Sequence, residues 1–291
     1  MQKTGVISLW TEQIKRAETG EEKCRMTGAI FGDIVGSVYE FHNTHNYDFV
    51  FLRNYSKPTD DSYMTLAVAN ALMESRGKDD DTIRVCLVKE MRRIGRMYPD
   101  AGYGGMFYGW LGLTDPKPYN SFGNGSAMRV SAAGFMASDE QQCVELATRT
   151  ALPTHNHPEG IKGAVATALA IHYAMTGRDK DFIHDNVLNT YYPDWSQLRY
   201  VDILPGYRFE ESCQRTVPAA LICFLESKDY ADSLKLAIAL GGDADTLGAI
   251  TGPMAYAFYR EMPDELVKNA KNKLPQWMLD VNDEFDAAYG H

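Results

Sequence analysis

The chain has 291 residues, 45% hydrophobic and 23% charged, a globular composition that excludes a largely disordered or collagen-like protein. Its formal charge of −10, from 29 basic and 39 acidic side chains, argues against a nucleic acid or an anionic membrane as the main partner. The five scattered cysteines form no C-x-x-C pair, no run of 18 apolar residues occurs, and no signal-peptide pattern develops, so a soluble cytoplasmic protein is expected.

Residues 1–25 carry no assignable pattern and are set apart as an N-terminal extension of unknown role, ahead of one domain over 26–291. Residues 26–41 predict a buried helix in which Gly28, Gly32 and Gly36 share one face. Each glycine costs about 1 kcal/mol against alanine in a helix, so three on one stripe imply close approach to another backbone. Residues 62–75 are apolar nearly all round and predict a second buried helix. Residues 83–98 repeat at Ile83, Leu87, Met91, Ile94 and Tyr98, the period of an amphipathic surface helix. Phe49–Leu52 reads as a possible short strand. Residues 100–125, rich in Gly, Pro, Tyr and Asn, read as a long irregular loop, a length more often functional than accidental. Further helices are predicted near 140–151, 160–176, 217–227, 230–240, 246–260, 263–273 and 276–288, with Pro218 and Pro263 at helix starts. The stretch 179–215 is irregular. The expected fold is all-α: one compact, orthogonally packed helical domain.

Two acidic clusters precede buried helices: Thr59-Asp60-Asp61 and Asp243-Ala244-Asp245-Thr246. Thr and Asp are common N-caps, and acids suit the first turn of a helix. Capping uses one side chain per helix, however, and each cluster offers three oxygen donors within four residues. Adjacent aspartates repel unless a proton or cation intervenes. Oxygen donors without Cys suit Mg²⁺, Mn²⁺ or Ca²⁺ rather than zinc. Gly123-Asn124-Gly125-Ser126 is compatible with a loop whose bare N–H groups approach a phosphate, though Asn-Gly alone is an ordinary turn. In Thr154-His155-Asn156-His157 a hydrogen-bonding loop histidine is the simpler reading than a metal ligand. Glu40, at the end of a buried helix, needs a metal, a partner or a raised pKa.

Taken in this order, the segments from Gly28, Thr59, Gly123, Thr154 and Gly241 resemble the ADP-ribosylglycohydrolase family. The resemblance runs from about residue 26 to 260. It implies an all-α fold with a central cleft holding two divalent cations, Mg²⁺ or Mn²⁺. The implied ligands are Thr59, Asp60, Asp61, Asp243, Asp245 and Thr246, and the implied catalytic acids are Glu40, Asp61 and Asp245. Ser121, Phe122, Gly123, Asn124, Gly125, Ser126 and His155 are the implied substrate contacts. The implied activity is divalent-metal-dependent cleavage of the C1″ glycosidic bond of ADP-ribose on a protein side chain or small-molecule conjugate. A non-catalytic ADP-ribose binder or a structural protein is the alternative. The complete ligand set counts against it.

Overall fold

The computed structural model describes residues 25–289, so the N-terminal extension, apart from Arg25, lies outside the described residues. Two helices form its axis. Helix α1 is Arg25–Gly36 and helix α11 is Ala244–Tyr259, and nearly every residue of both is buried. They run antiparallel, with Gly28, Gly32 and Gly36 facing Gly252, Gly248 and Ala244. A Cβ added at Gly32 would lie 2.0 Å from the Gly248 carbonyl oxygen, and one at Gly252 would lie 2.1 Å from that of Gly28. Only hydrogen fits there, which is the physical reason for the glycine stripe. The close contact also sets the register, so the end of α1 meets the start of α11.

The other described helices pack around this pair. Helix α2 (Asp60–Glu74) is buried on almost all faces, and α3 (Asp80–Met97) turns Ile83, Leu87, Met91 and Ile94 inward, as their spacing predicts. Helices α4 (Gly105–Gly112), α5 (Gly125–Met128), α6 (Ser131–Met136), α7 (Glu140–Ala151) and α8 (Pro158–Met175) follow. Then come α9 (Cys213–Glu226), α10 (Tyr230–Leu240), α11, α12 (Asp264–Lys271) and α13 (Gln276–Tyr289). The expected all-α domain is therefore what folds. Among the described residues no strand forms, and an isolated bridge joins Gly123 to Ser212. None of the described helices is long and apolar enough to cross a membrane.

Several local expectations are corrected. Phe49–Leu52 forms no strand; Phe49 and Phe51 instead join an aromatic cluster with Tyr39 and Phe31. Residues 100–125 are not wholly irregular, because Gly105–Gly112 is helical despite its glycines. Phe107, Trp110 and Leu111 bury one face of α4, and Arg96 on α3 donates to the Leu111 carbonyl at 2.7 Å, so tertiary contacts override weak propensity. The stretch 179–215 contains short helical turns, including a π-helical one at His184–Leu188. Helix α9 begins at Cys213, so Pro218 lies inside it.

A carboxylate-lined cleft as the candidate active site

Helix α1 ends at Gly36, earlier than its sequence pattern predicts, and the chain turns through Tyr39 and Glu40 toward the starts of α2 and α11. There the two acidic clusters face one another across a cleft of about 410 Å³. Thr246 Oγ1 donates to Asp61 Oδ2 at 3.3 Å, joining residues 185 positions apart. Two overlapping carboxylate triads result, Asp33–Asp61–Asp245 and Glu40–Asp243–Asp245, each with oxygens within 4.8 Å of one another.

Asp33 is the residue that sequence reasoning missed. It sits in the middle of α1, fully buried, and its carboxylate accepts from Thr59 N at 2.9 Å, Thr59 Oγ1 at 2.6 Å and Ser62 N at 3.1 Å, and from the Ser62 hydroxyl. These bonds tie the first turn of α2 to α1. The signal was available: a lone acid flanked on all sides by buried helix residues must find several donors. Asn43 was also missed. Its amide brackets Gly242, donating to the Gly242 carbonyl and accepting from its N–H, both at 2.9 Å. Gly241 and Gly242 have φ of +84° and +78°, a left-handed turn that glycine adopts cheaply. That turn aims Asp243 into the cleft.

The capping reading holds for one cluster only. Thr59 is the N-cap of α2, its hydroxyl accepting from Asp61 N at 3.4 Å while donating to Asp33. Asp243, the N-cap of α11, makes no side-chain capping bond; its Oδ2 accepts from Asn124 Nδ2 at 2.7 Å instead. Asp61 Oδ1 is buried and accepts no hydrogen bond. Asp60, Asp61, Asp243, Asp245 and Thr246 line the cleft with Glu40, whereas Thr59 stands behind them against Asp33.

Burial first, then the neighbouring negative charges, raises the carboxyl pKa values of Asp60, Asp61 and Asp245 well above the usual range. Burial lifts Asp33 to about 6 against its four hydrogen bonds, and burial with Asp243 lifts Glu40 to about 7. Such a cluster calls for cations. An orphaned carboxylate oxygen among convergent oxygen donors fits a hard divalent ion, and no thiolate or imidazole joins either triad.

The opposite wall is the loop before α5. Ser121, Gly123, Asn124, Gly125 and His155 line the cleft. Not all its amides are bare, as its sequence suggests: Gly123 N donates to Ser121 Oγ at 3.1 Å and Asn124 N to the Glu211 carbonyl at 2.7 Å. The Ser126 hydroxyl points away, donating to the Gly160 carbonyl at 2.7 Å. Phe122 is half exposed with its ring edge-on to His157 at 5.4 Å. A simple turn would need none of these supports.

The fold and the cleft define an all-helical protein with a polyacidic, cation-suited site facing a glycine loop. The model of the ADP-ribosylglycohydrolase family matches residues 24–290, and the chain belongs to that family of hydrolases. It is 27% identical to human ADP-ribosylhydrolase ARH3 over 80% of this chain and 84% of that protein. It is also 27% identical to the ADP-ribosylarginine hydrolase Tri1 of Pseudomonas putida, over 91% of this chain and 80% of that one. A solved structure of an ADP-ribosylglycohydrolase-related protein complex aligns with a TM-score of 0.66 and 23% identity, covering 91% of this chain and 95% of the other. That likeness shows the fold.

Proposed function

We propose that the protein is a divalent-metal-dependent hydrolase that cleaves the C1″ bond between ADP-ribose and an acceptor. The substrate is an ADP-ribosylated protein side chain or a small-molecule ADP-ribosyl conjugate. The observation that carries this reading is the meeting of Asp61 with Thr246 and Asp245 around a buried carboxylate oxygen that lacks a partner. Asp60, Asp61, Asp243, Asp245 and Thr246 would hold Mg²⁺ or Mn²⁺, with Thr59 and Asp33 fixing the first group from behind. Bound there, such ions supply Lewis acidity and lower the pKa of a coordinated water.

The chain's own residues do the rest. The acidic wall orients the distal ribose. Glu40, half-buried at the cleft with its carboxyl near 7, holds or releases a proton at neutral pH. The C1″–acceptor bond breaks, water oxygen adds at C1″, and the acceptor leaves with a proton, through an oxocarbenium-like state as in other glycoside hydrolyses. On the facing wall the amide of Gly125, with His155 beside it, receives the pyrophosphate, which reconciles an acidic protein with an anionic ligand.

The test is mass spectrometry of products from a panel of ADP-ribosylated acceptors, with and without chelator. Intact ADP-ribose released only in the presence of divalent ions supports the reading. Phosphate or AMP as product, or ADP-ribose binding without turnover, refutes it.

A further inference from the structure

One buried cation in the cleft is not used by this reaction scheme. Arg129, which follows α5, is 1% exposed and makes no ion pair among the described residues. Its guanidinium lies over the Phe107 ring at 5.9 Å, and its Nε lacks a partner. A buried guanidinium is costly, so its strongest contact is informative. That contact is with a neutral hydroxyl: Nη2 donates to Thr154 Oγ1 at 2.7 Å, with a weaker bond to the Thr150 carbonyl at 3.4 Å. The same Oγ1 is 2.7 Å from His155 Nδ1.

We propose that Arg129, acting through Thr154, is a positioning residue that holds His155 with its proton on Nε2, so that the cleft histidine meets an anion as a neutral donor. A guanidinium only donates, so Thr154 Oγ1 accepts from it. An oxygen that already accepts from a cation becomes a better donor and a poorer acceptor. The best neutral acceptor beside it is a bare imidazole nitrogen, so the Thr154 proton goes to Nδ1 and the ring's own proton resides on Nε2. The Tyr119 hydroxyl also borders Thr154, but it can donate as well as accept and makes no competing demand.

Nε2 faces the loop. It lies 3.3 Å from where a Cβ on Gly125 would sit and 3.6 Å from one on Gly123, so the bare loop backbone is what leaves room for the ring. Burial, with Arg129 adding repulsion, holds the imidazole pKa well below its usual value, so the ring stays neutral and has one proton to place. The tautomer therefore decides whether the loop presents a donor or a lone pair to a negative ligand. Naming that ligand as the pyrophosphate of ADP-ribose rests on the function proposed above.

Long-range ¹H–¹⁵N NMR of the intact, histidine-labelled protein near pH 7 tests the relay without ligand or metal. The His155 signals are identified by their loss in His155→Gln. The wild type should show a protonated Nε2 and a bare Nδ1. Thr154→Val, which keeps the shape and removes the hydroxyl, should populate the Nδ1–H form and weaken ADP-ribose binding about tenfold. Thr154→Ser should restore both, a rescue that mere packing at this position would not explain. Arg129→Met should shift the tautomer in the same direction as Thr154→Val. A wild-type ring protonated on Nδ1, or a Thr154→Val ring unchanged from wild type, overturns the relay. If Thr154→Val fails to fold, the wild-type spectrum with Thr154→Ala decides. A correct tautomer in a protein that does not bind ADP-ribose leaves the relay standing and sinks the functional reading.

Discussion

At the start of α2, Thr59 and Ser62, which flank Asp60 and Asp61, are tied to the Asp33 carboxylate through their amides and hydroxyls, and Thr59 caps its helix. At the start of α11, Asp243, Asp245 and Thr246 have nearly the same composition, yet Asp243 caps nothing. There the backbone is set by a left-handed Gly241–Gly242 turn that Asn43 brackets. One cluster is thus held by a buried carboxylate that gathers the amides and hydroxyls of its own first turn, and the other by an amide that fixes the glycine turn before it. Carboxylates that must converge without being consumed by capping need an external brace, and each brace comes from the segment around α1.

The largest effect should come from removing what the two clusters share. Asp61→Ala deletes the carboxylate through which the two clusters touch, a member of the Asp33–Asp61–Asp245 triad that also accepts from Thr246, and should lower ADP-ribose release more than about 100-fold, since even outer-shell changes at metal sites cost 10–100-fold. Its thermal midpoint in chelator should not fall, because a buried, repelled carboxyl has been removed. A fall would mean that Asp61 is structural. Gly32→Ala attacks the axis beneath both clusters. With Cβ driven against the Gly248 carbonyl, unfolding free energy should drop by about 3 kcal/mol or more in a denaturant titration.

Asp33→Asn weakens the α2 brace and removes one carboxylate from the Asp33–Asp61–Asp245 triad. The variant should lose roughly 10–100-fold in divalent-ion affinity, read by calorimetry, because Thr59 and Ser62 lose their charged acceptor. Asn43→Ala breaks the α11 brace together with the bonds that Asn43 gives to the Tyr39 and Glu40 carbonyls, and should cost about 1–2 kcal/mol of stability, with a smaller loss of activity than Asp33→Asn. Equal losses of activity would erase the distinction between the carboxylate brace of α2 and the glycine-turn brace of α11.

The smallest effect is a pH dependence outside the cleft. Asp286 on α13 accepts from Arg25 N at 3.2 Å, and burial pushes its carboxyl up to about 7. Its folded pKa exceeds the unfolded value of about 4, so the native state binds the extra proton. Its stabilising contribution is complete below about pH 4 and is lost as pH rises through about 7. Asp286→Asn should flatten that slope and raise stability at pH 8 relative to the wild type, as denaturant midpoints across pH 4–8 would show.

Much of the molecule was legible from short-range pattern. Helices α7 and α10 fall where the sequence predicts them, to the residue, because caps such as Asp139 and Asp229 and four-residue periodicity act within one helix. Helix α4 was not legible: its glycines oppose helix, and it forms because Phe107, Trp110 and Leu111 bury themselves under α3. Thr59–Asp61, Asp243–Thr246 and Gly123–Gly125 stood out as oxygen-rich or glycine-rich runs. Asp33, Asn43 and Arg129 did not, since each is a single polar residue whose partners lie far away in the chain.

The amino-acid sequence by itself determined the all-helical class, most helix limits, the two acidic helix starts and the glycine stripe that demands a close neighbour. Those features follow from interactions spanning a few residues. Only the tertiary structure decided that the neighbour of the stripe is α11, that Asp33 braces Thr59, and that Asp61 meets Thr246. Such pairings depend on which backbones can approach within contact distance, and that is settled by packing the whole chain at once.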